Sequence, residues 1–319
     1  VTFQLDGLPV LSRSTVEREE TLRADSRRQA ELWPEGRVLL VDPRGRTPIR
    51  SGGTVLAYQA TSGDEPPPEA LLLGEEKGVG YWALPVESPA PDTGLDWRAW
   101  QDIGSSDEEQ WLDLRSAGSF LDDTSAGLFT TAVALTHWHR RAGFCANCGS
   151  AVDRVKSGWA TQCPNCGREE YPRTDPAVIC LVHDREGTDG SQVLLARQPV
   201  WPKGRYSVLA GFVEAGESLE ACVAREICEE VGVDVADIRY LGSQPWPFPR
   251  SLMLGFAASA DPSQPTKLSD GEIEEAHWVS RDVVREALAA EDEGRDFWLG
   301  LPGPTSIARR MLESWAHPS

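Results

Sequence analysis

Three glutamates fall close together on one turn-and-a-half of a helix-forming stretch. In GFVEAGESLEACVAREICEEVGV (211–233), Ser218 suits an N-cap and Gly232 a stop, while Leu219, Val223, Ile227 and Val231 recur every four positions. This spacing predicts a helix from about Ser218 to Val231 packed by a single apolar stripe. At about 100° per residue, Glu226, Glu229 and Glu230 share an arc of roughly 100° on another face. Like charges one turn apart cost a few tenths of a kcal/mol, so a helix that only packs gains nothing from this crowding. Divalent cations reverse the sign, because hard oxygen ligands on a rigid element suit Mg²⁺ or Mn²⁺, which in turn bind diphosphate oxygens. For the helix alone a solvated acidic face is the simpler account, and the flanking residues must decide.

A second constellation is built from sulfur. Cys145-Ala-Asn-Cys148-Gly149 and Cys163-Pro-Asn-Cys166-Gly167 repeat one turn, each bringing two thiolates to the spacing that one tetrahedral ion accepts. Four sulfurs close the coordination sphere, so the expectation is one structural Zn²⁺ per chain, with no open position for water or substrate. A redox pair usually appears as one CxxC, and a disulfide framework does not suit seven cysteines of which Cys180, Cys222 and Cys228 lie in apolar-periodic segments. The ribbon mixes Asp153, Glu169 and Glu170 with Arg154, Lys156, Arg168 and Arg173, which is not the basic stripe of a nucleic-acid-coating module. His137 and His139, just upstream, point to different faces of a helix-compatible segment and are expected to be structural.

The third feature is SQPWPFPRS (243–251), with prolines at 245, 247 and 249 and an aromatic between each successive pair. The prolines fix φ and remove three N–H donors, leaving little conformational entropy to lose on binding. Trp246 and Phe248 offer flat faces, and Gln244 and Ser251 offer hydrogen bonds. The segment is therefore either a rigid turn whose aromatics plug a core or a preorganised ligand loop.

Together these residues are similar to a known signature. Gly211, five residues, Glu217, seven residues, Arg225-Glu226-Ile227, one residue, Glu229-Glu230, one residue, then Gly232-Val233 resembles an intact Nudix box at nine defined positions. The resemblance implies a hydrolase of nucleoside diphosphates linked to another moiety. It further implies an α/β/α sandwich with a mixed sheet over about residues 173–319, and two or three Mg²⁺ or Mn²⁺ ions. By the same resemblance Glu226, Glu229 and Glu230 are metal-binding glutamates, the Ala210 carbonyl is a backbone metal ligand, Arg225 positions the glutamates, and Glu217 orients Arg225. A glutamate such as Glu230 would assist proton removal.

The loop SQPWPFPRS, ten residues beyond Val233, resembles the SQPWPFPxS motif of the NADH diphosphatase subfamily, as does the four-cysteine ribbon. This implies hydrolysis of NADH or NAD⁺ to AMP and nicotinamide mononucleotide, and removal of 5′ NAD caps from RNA. It places substrate contacts at Gln244, Pro245, Trp246, Pro247, Phe248, Pro249, Arg250 and Ser251. Tyr171 resembles a tyrosine that packs on nicotinamide and Phe212 its stacking partner, the two coming from different subunits of a homodimer. Glu272, six residues before Trp278, resembles a further metal ligand, and Ala308 a backbone contact to substrate. One departure is Gly158, where some members carry a glutamate before the ribbon tryptophan, here Trp159; that carboxylate contact is missing. The competing expectations are an ADP-ribose or dinucleoside polyphosphate hydrolase and a zinc-ribbon regulator that binds nucleic acid. Regulators of that kind tend to lose box glutamates, all of which are present here.

The elements that must hold these residues follow from periodicity. Residues 1–124 carry short apolar runs, RVLLVD (37–42), TVLAYQA (54–60), EALLLG (69–74) and GYWALPV (80–86), predicting a mostly β N-terminal domain with SGDEPPPE (62–69) as a loop. Residues 125–172 read as a linker helix, Ser125 to Arg141, and the ribbon. From 173 onward AVICLVHD (177–184), QVLLARQ (192–198), LMLGFAASA (252–260) and HWVS (277–280) alternate with helical stretches, predicting an α/β catalytic domain. The overall class is α+β or α/β. The net charge of −19 opposes general polyanion coating. No apolar run spans a bilayer, and the opening VTFQLDGLPVLSRS lacks a secretory pattern, so a cytoplasmic, membrane-free protein is expected.

Overall fold

A computed structural model describes residues 2–50, 55–87, 109–186, 189–268 and 271–318. The chain divides into two units, Val10–Thr174 with Pro245–Arg250, and Val1–Pro9 with Asp175–Gln244 and Ser251–Ser319.

In the first unit the apolar runs become short strands. Helices α1 (Glu20–Ala24) and α2 (Ser26–Leu32) precede β1 (Arg37–Val41), β2 (Arg46–Arg50), β3 (Gln59–Ala60), β4 (Leu71–Glu76), β5 (Val79–Pro85) and β6 (Glu109–Asp113). A sheet of order β3-β1-β5-β4 has β1 and β5 parallel, whereas β2 and β6 form a separate antiparallel pair. Of the run 54–60, whose first residue lies outside the described residues, Gln59–Ala60 form a strand and Leu56 makes an isolated bridge to Ile49. The pair β2/β6 escaped periodicity because Pro48 and two arginines dilute its apolar signal; a proline is tolerated in a two-stranded ribbon, where it removes a single donor. After the short α3 (Leu114–Ala117), helix α4 (Asp123–His139) starts where the Asp122 carboxylate accepts the Ser125 N–H at 2.7 Å. Its Leu128, Phe129, Ala132 and Val133 pack with Leu39, Val41, Leu71 and Tyr81 into one core.

The ribbon follows as a small sheet of β7 (Asp153–Val155), β8 (Ala160–Gln162) and β9 (Glu169–Glu170). The four cysteine sulfurs lie within 4.8 Å of one another, with Cys145 to Cys166 at 3.6 Å and Cys148 to Cys163 at 3.4 Å. A tetrahedron with Zn–S bonds of about 2.3 Å has edges of about 3.8 Å, so the thiol set fits zinc. Gly149 and Gly167, each at φ +73°, make the turn after the second cysteine that a β-carbon would strain.

The second unit alternates in sequence and sandwiches in space. Its strands are β10 (Asp175–His183), β11 (Gln192–Arg197), β12 (Leu209–Phe212), β13 (Ala236–Trp246), β14 (Ser251–Ser259) and β15 (Glu275–Ser280). The sheet runs β13-β14-β10-β11-β15 with β12 on β10; β10 and β14 are parallel and β10/β11, β10/β12 and β11/β15 antiparallel, giving the expected mixed sheet. Alternate residues of β10 serve opposite faces. Val178, Cys180 and Val182 pack against Val223, Ile227 and Val231 of α5 (Leu219–Val231). Ile179 and Leu181 pack with Val284 and Leu288 of α6 (Arg281–Asp292) and Met311, Leu312 and Trp315 of α7 (Ile307–Ala316). The first residues of the chain join this core: Phe3 is buried, and its N–H donates to Asp189 Oδ2 at 2.8 Å. Among the described residues no helix is long and apolar enough to cross a membrane.

The ribbon geometry predicts one zinc per chain by elemental analysis of the purified protein. Cys163→Ser, which replaces a buried sulfur, should drop that ratio well below one, because oxygen in a serine is a poor substitute for thiolate.

Candidate active site

Helix α5 is as sharply bounded as its sequence suggests. Ser218 Oγ accepts the Ala221 N–H at 3.2 Å, and Gly232 ends the helix at φ +71°. Its apolar stripe seats it on the sheet, which turns the glutamates toward β12. Ala210 and Gly211 of β12 pair with Ile179 and Val178 of β10, so this backbone is held rigidly. A β-carbon built on Gly211 would lie 1.8 Å from the Glu226 carboxyl carbon, and glycine is therefore required for the two elements to approach.

One guanidinium organises the carboxylates. Arg225 Nε and Nη2 donate to Glu217 Oε1 and Oε2 at 2.8 and 2.9 Å, a bidentate pair. Nη1 donates to Glu226 Oε1 at 3.0 Å and to Glu229 Oε2 at 2.9 Å, and Nη2 also donates to the Phe212 carbonyl at 2.9 Å. Glu217 additionally accepts the Glu214 N–H at 3.0 Å. The hydrogen bonds from Arg225, then that backbone donor, hold the Glu217 pKa down to about 2. The Arg225 pKa is raised, first by Glu217.

Glu230 differs from its neighbours. It is only 7% exposed, and its Oε2 has no hydrogen-bond partner. Desolvation, with smaller contributions from the charges of Glu226 and Glu272, pushes its pKa up to about 8. Burial likewise raises the Glu226 pKa, opposed by Arg225. A buried, unpartnered carboxylate oxygen beside two other carboxylates is unfavourable unless a cation completes it.

These groups line a cavity of about 720 Å³ that contains Ala210, Gly211, Phe212, Arg225, Glu226, Glu229, Glu230 and Glu272. Glu272 reaches it from the segment before β15, far from the helix in sequence. Glu226, Glu229, Glu230 and Glu272, four of the five carboxylates on the cavity, form with the Ala210 segment an oxygen-rich donor set suited to hard divalent ions, and the orphaned Glu230 oxygen fits such a ligand. Gln198, Pro199 and Val200, which follow β11, also line the cavity and carried no catalytic pattern in the sequence. Only their position at a strand end ahead of a proline-rich turn could have drawn attention to them.

Phe212 is 58% exposed at the cavity. Tyr171 belongs to the ribbon-bearing unit, where Lys156 Nζ donates to its hydroxyl at 3.1 Å and to Glu169 at 2.7 Å, and the tyrosine hydroxyl also donates to Glu169. The segment 243–251 is divided between the two units. Gln244 is fully buried and donates to the Thr305 carbonyl at 3.0 Å, while buried Ser251 opens β14 opposite Asp175. Trp246 and Phe248 pack edge to face, 4.9 Å apart, against the core of the first unit, with Arg115 4.1 Å over Phe248. Pro245, Pro247, Pro249 and Arg250 lie in that unit too, and the Pro247 carbonyl meets His137 Nδ1 at 3.0 Å. His139 Nε2 meets the Gly158 carbonyl at 2.7 Å, and its burial lowers its pKa to about 4. Both histidines thus have structural partners. The Ala308 N–H, at the start of α7, is accepted by Ser306 Oγ at 3.2 Å.

Comparison with known proteins extends this picture across the chain. Residues 173–298 match the NUDIX domain, 140–171 the NADH pyrophosphatase zinc ribbon domain, and 28–138 the NADH pyrophosphatase-like rudimentary NUDIX domain. The NAD-capped RNA hydrolase NudC of Mycobacterium bovis is 48% identical over 320 aligned residues, covering 99% of this chain and 97% of that protein. The protein of the same name from Mycobacterium tuberculosis matches to the same extent. That of Pseudomonas aeruginosa is 39% identical over 251 residues, 77% of this chain and 78% of its own.

Two measurements probe this geometry. Arg225→Lys keeps a charge but cannot span Glu217, Glu226 and Glu229, and should lower kcat about 10²-fold in a steady-state assay while the fold is retained. Glu230→Gln should reduce turnover about 10²- to 10⁴-fold with zinc content unchanged. Because the raised Glu230 pKa means that the folded state binds the extra proton, metal-free wild type should lose stability relative to Glu230→Gln as pH rises from about 4.5 to 8. Thermal unfolding without added divalent metal would show this as a widening Tm gap.

Proposed function

The chain belongs to the NudC family of Nudix hydrolases, and from this premise we propose that it hydrolyses the diphosphate bond of NADH and NAD⁺, releasing AMP and nicotinamide mononucleotide, and removes 5′ NAD caps from RNA to leave a 5′-monophosphate. The observation that carries this reading is the convergence of Glu226, Glu229, Glu230, Glu272 and the Ala210 segment on one cavity, in a chain similar to NAD-capped RNA hydrolases along 99% of its length.

Glu226, Glu229, Glu230, Glu272 and the Ala210 carbonyl would hold two or three Mg²⁺ or Mn²⁺ ions. Bound there, such ions supply Lewis acidity to the diphosphate and make water a stronger nucleophile at neutral pH. The chain's own residues do the rest. Arg225 fixes the rotamers of Glu226 and Glu229, and Glu217 fixes Arg225, so the carboxylates are oriented before substrate arrives. Glu230, buried and unpartnered at Oε2, is suited to accept the proton of the attacking water as phosphorus–oxygen cleavage proceeds. Phe212 at the cavity offers a stacking face for the nicotinamide, with Tyr171 as its counterpart from the partner in a homodimer. Within the catalytic unit Ala308 offers a backbone contact to the nucleotide, and buried Gln244 and Ser251 fix the strand ends on either side of residues 245–250. A cytoplasmic location suits a chain whose seven cysteines form no disulfide among the described residues.

Incubation with NADH, NAD⁺ and NAD-capped RNA in Mg²⁺ or Mn²⁺ should yield AMP from the free dinucleotides and 5′-monophosphate ends from the RNA. Faster turnover of ADP-ribose or of dinucleoside polyphosphates, or no product from any NAD compound, would overturn the assignment.

A further inference from the structure

The loop that leaves β11 begins in the active-site cavity and ends outside it. Gln198, Pro199 and Val200 line the cavity, and Trp201, Pro202, Lys203, Gly204 and Arg205 continue away along the chain. Two successive turns shape it, with the Trp201 N–H donating to the Gln198 carbonyl at 3.1 Å and the Arg205 N–H to the Pro202 carbonyl at 3.2 Å. Arg197 Nη2 ties the Trp201 carbonyl down at 2.9 Å.

The loop is pinned to the segment before α7. Gly300 N–H donates to the Gly204 carbonyl at 2.7 Å, and Tyr206 N–H to the Gly300 carbonyl at 2.9 Å. Gly204 sits at φ +80°, and a β-carbon there would come within 2.9 Å of the Trp298 carbonyl, so the close approach requires glycine. The result sets Trp298 beside the loop, 54% exposed, with its ring edge-on to Tyr206 at 6.2 Å.

Charge marks the surface out. In a chain of net charge −19, Lys203 and Arg205 are exposed and form no ion pair with any described residue. The nearby carboxylates are committed, Glu274 to Arg197 and Glu275 to Tyr206 and His277. Val200, 85% exposed, and Trp298 add apolar faces to these two free cations. Cations that follow a backbone, next to an aromatic face on which bases stack, are the elements of a single-strand nucleic-acid platform.

We propose that Lys203, Arg205 and Trp298 form the track for the RNA chain that continues from a 5′ NAD cap, the cations meeting its first phosphates and the indole its first exposed base. This deepens, and rests on, the reading of the site as an NAD-cap hydrolase. A free dinucleotide ends within the cavity and has no use for the track, whereas a capped RNA must extend its phosphates past an acidic protein. The track therefore supplies discrimination between two substrates that share one scissile bond.

The test compares NADH with NAD-capped single-stranded RNA in wild type, Lys203→Glu/Arg205→Glu and Trp298→Ala, across salt. The double variant should raise KM for capped RNA at least about tenfold at low salt and reduce the slope of log(1/KM) against log[salt] by about 1.4, at about 0.7 per phosphate contact. Trp298→Ala should raise the same KM about tenfold with the slope kept. KM and kcat for NADH should not move in either, which also certifies folding. Equal effects on both substrates, or none on capped RNA that wild type cleaves, would overturn the track while leaving the hydrolase reading intact. Wild type that cleaves NADH but not capped RNA would overturn both the track and the cap-removal reading. A change of oligomeric state in the double variant would give this face to a second copy of the chain and overturn the RNA assignment.

Discussion

Arg225 holds three carboxylates at hydrogen-bond distance, two of them on its own helix, and the arrangement of the catalytic unit depends on that contact. Without it, Glu226 and Glu229 would turn apart to escape mutual repulsion, and Glu217 would leave the loop before α5 unanchored. The bidentate geometry matters as much as the charge, since one planar group satisfies two oxygens of Glu217 and still reaches the next two glutamates. The fold serves this pairing. The apolar stripe of α5 sets the helix on the sheet, and the absence of a side chain at Gly211 allows β12 to come against Glu226. Glu230 stands outside the network, and its isolation distinguishes it chemically: its Oε2 lacks a hydrogen-bond partner, and burial pushes its pKa up to about 8.

The cavity and the loop that leaves it put different demands on the chain. In the cavity, donors of one kind converge from a helix, a strand and the segment before β15, which suits a reaction common to many diphosphates. Discrimination must come from parts that vary in shape and charge. The loop after β11, with its two unpaired cations and neighbouring indole, is one such part. The proline-aromatic segment serves differently: its aromatics are drawn into the core of the first unit and its flanking Gln244 and Ser251 into the strands of the second. Its rigidity is therefore a property of packing as well as of proline, and any influence on the nucleotide passes through the position of that backbone.

Much of this was legible in the linear sequence because the signals are short-range. Helix α5 runs from its Ser218 cap to the left-handed Gly232, and the four-residue apolar spacing gave its buried face. The paired CxxC turns announced a four-sulfur cluster, since two residues between cysteines leave few ways to hold both thiolates on one ion. The strands 175–183, 192–197, 251–259 and 275–280 followed from alternation and apolar runs. Less visible were β2 and β6, where a central proline and charges hide a ribbon, and β13, which continues through Gln244 to Trp246 into residues that read as pure loop.

Composition, capping, cysteine spacing and periodicity determined the fold class, the helix that carries the glutamates and the sulfur cluster, because each is set by contacts within a few residues. Only the tertiary structure decided which distant segments share the cavity, bringing Gln198 to Val200 and Glu272 to the glutamates of α5. It alone decided that Glu230 is buried without a partner, and that Trp298 stands beside Lys203 and Arg205. Burial and proximity between residues far apart in sequence depend on how sheet and helices close over one another, and no local pattern encodes that closure.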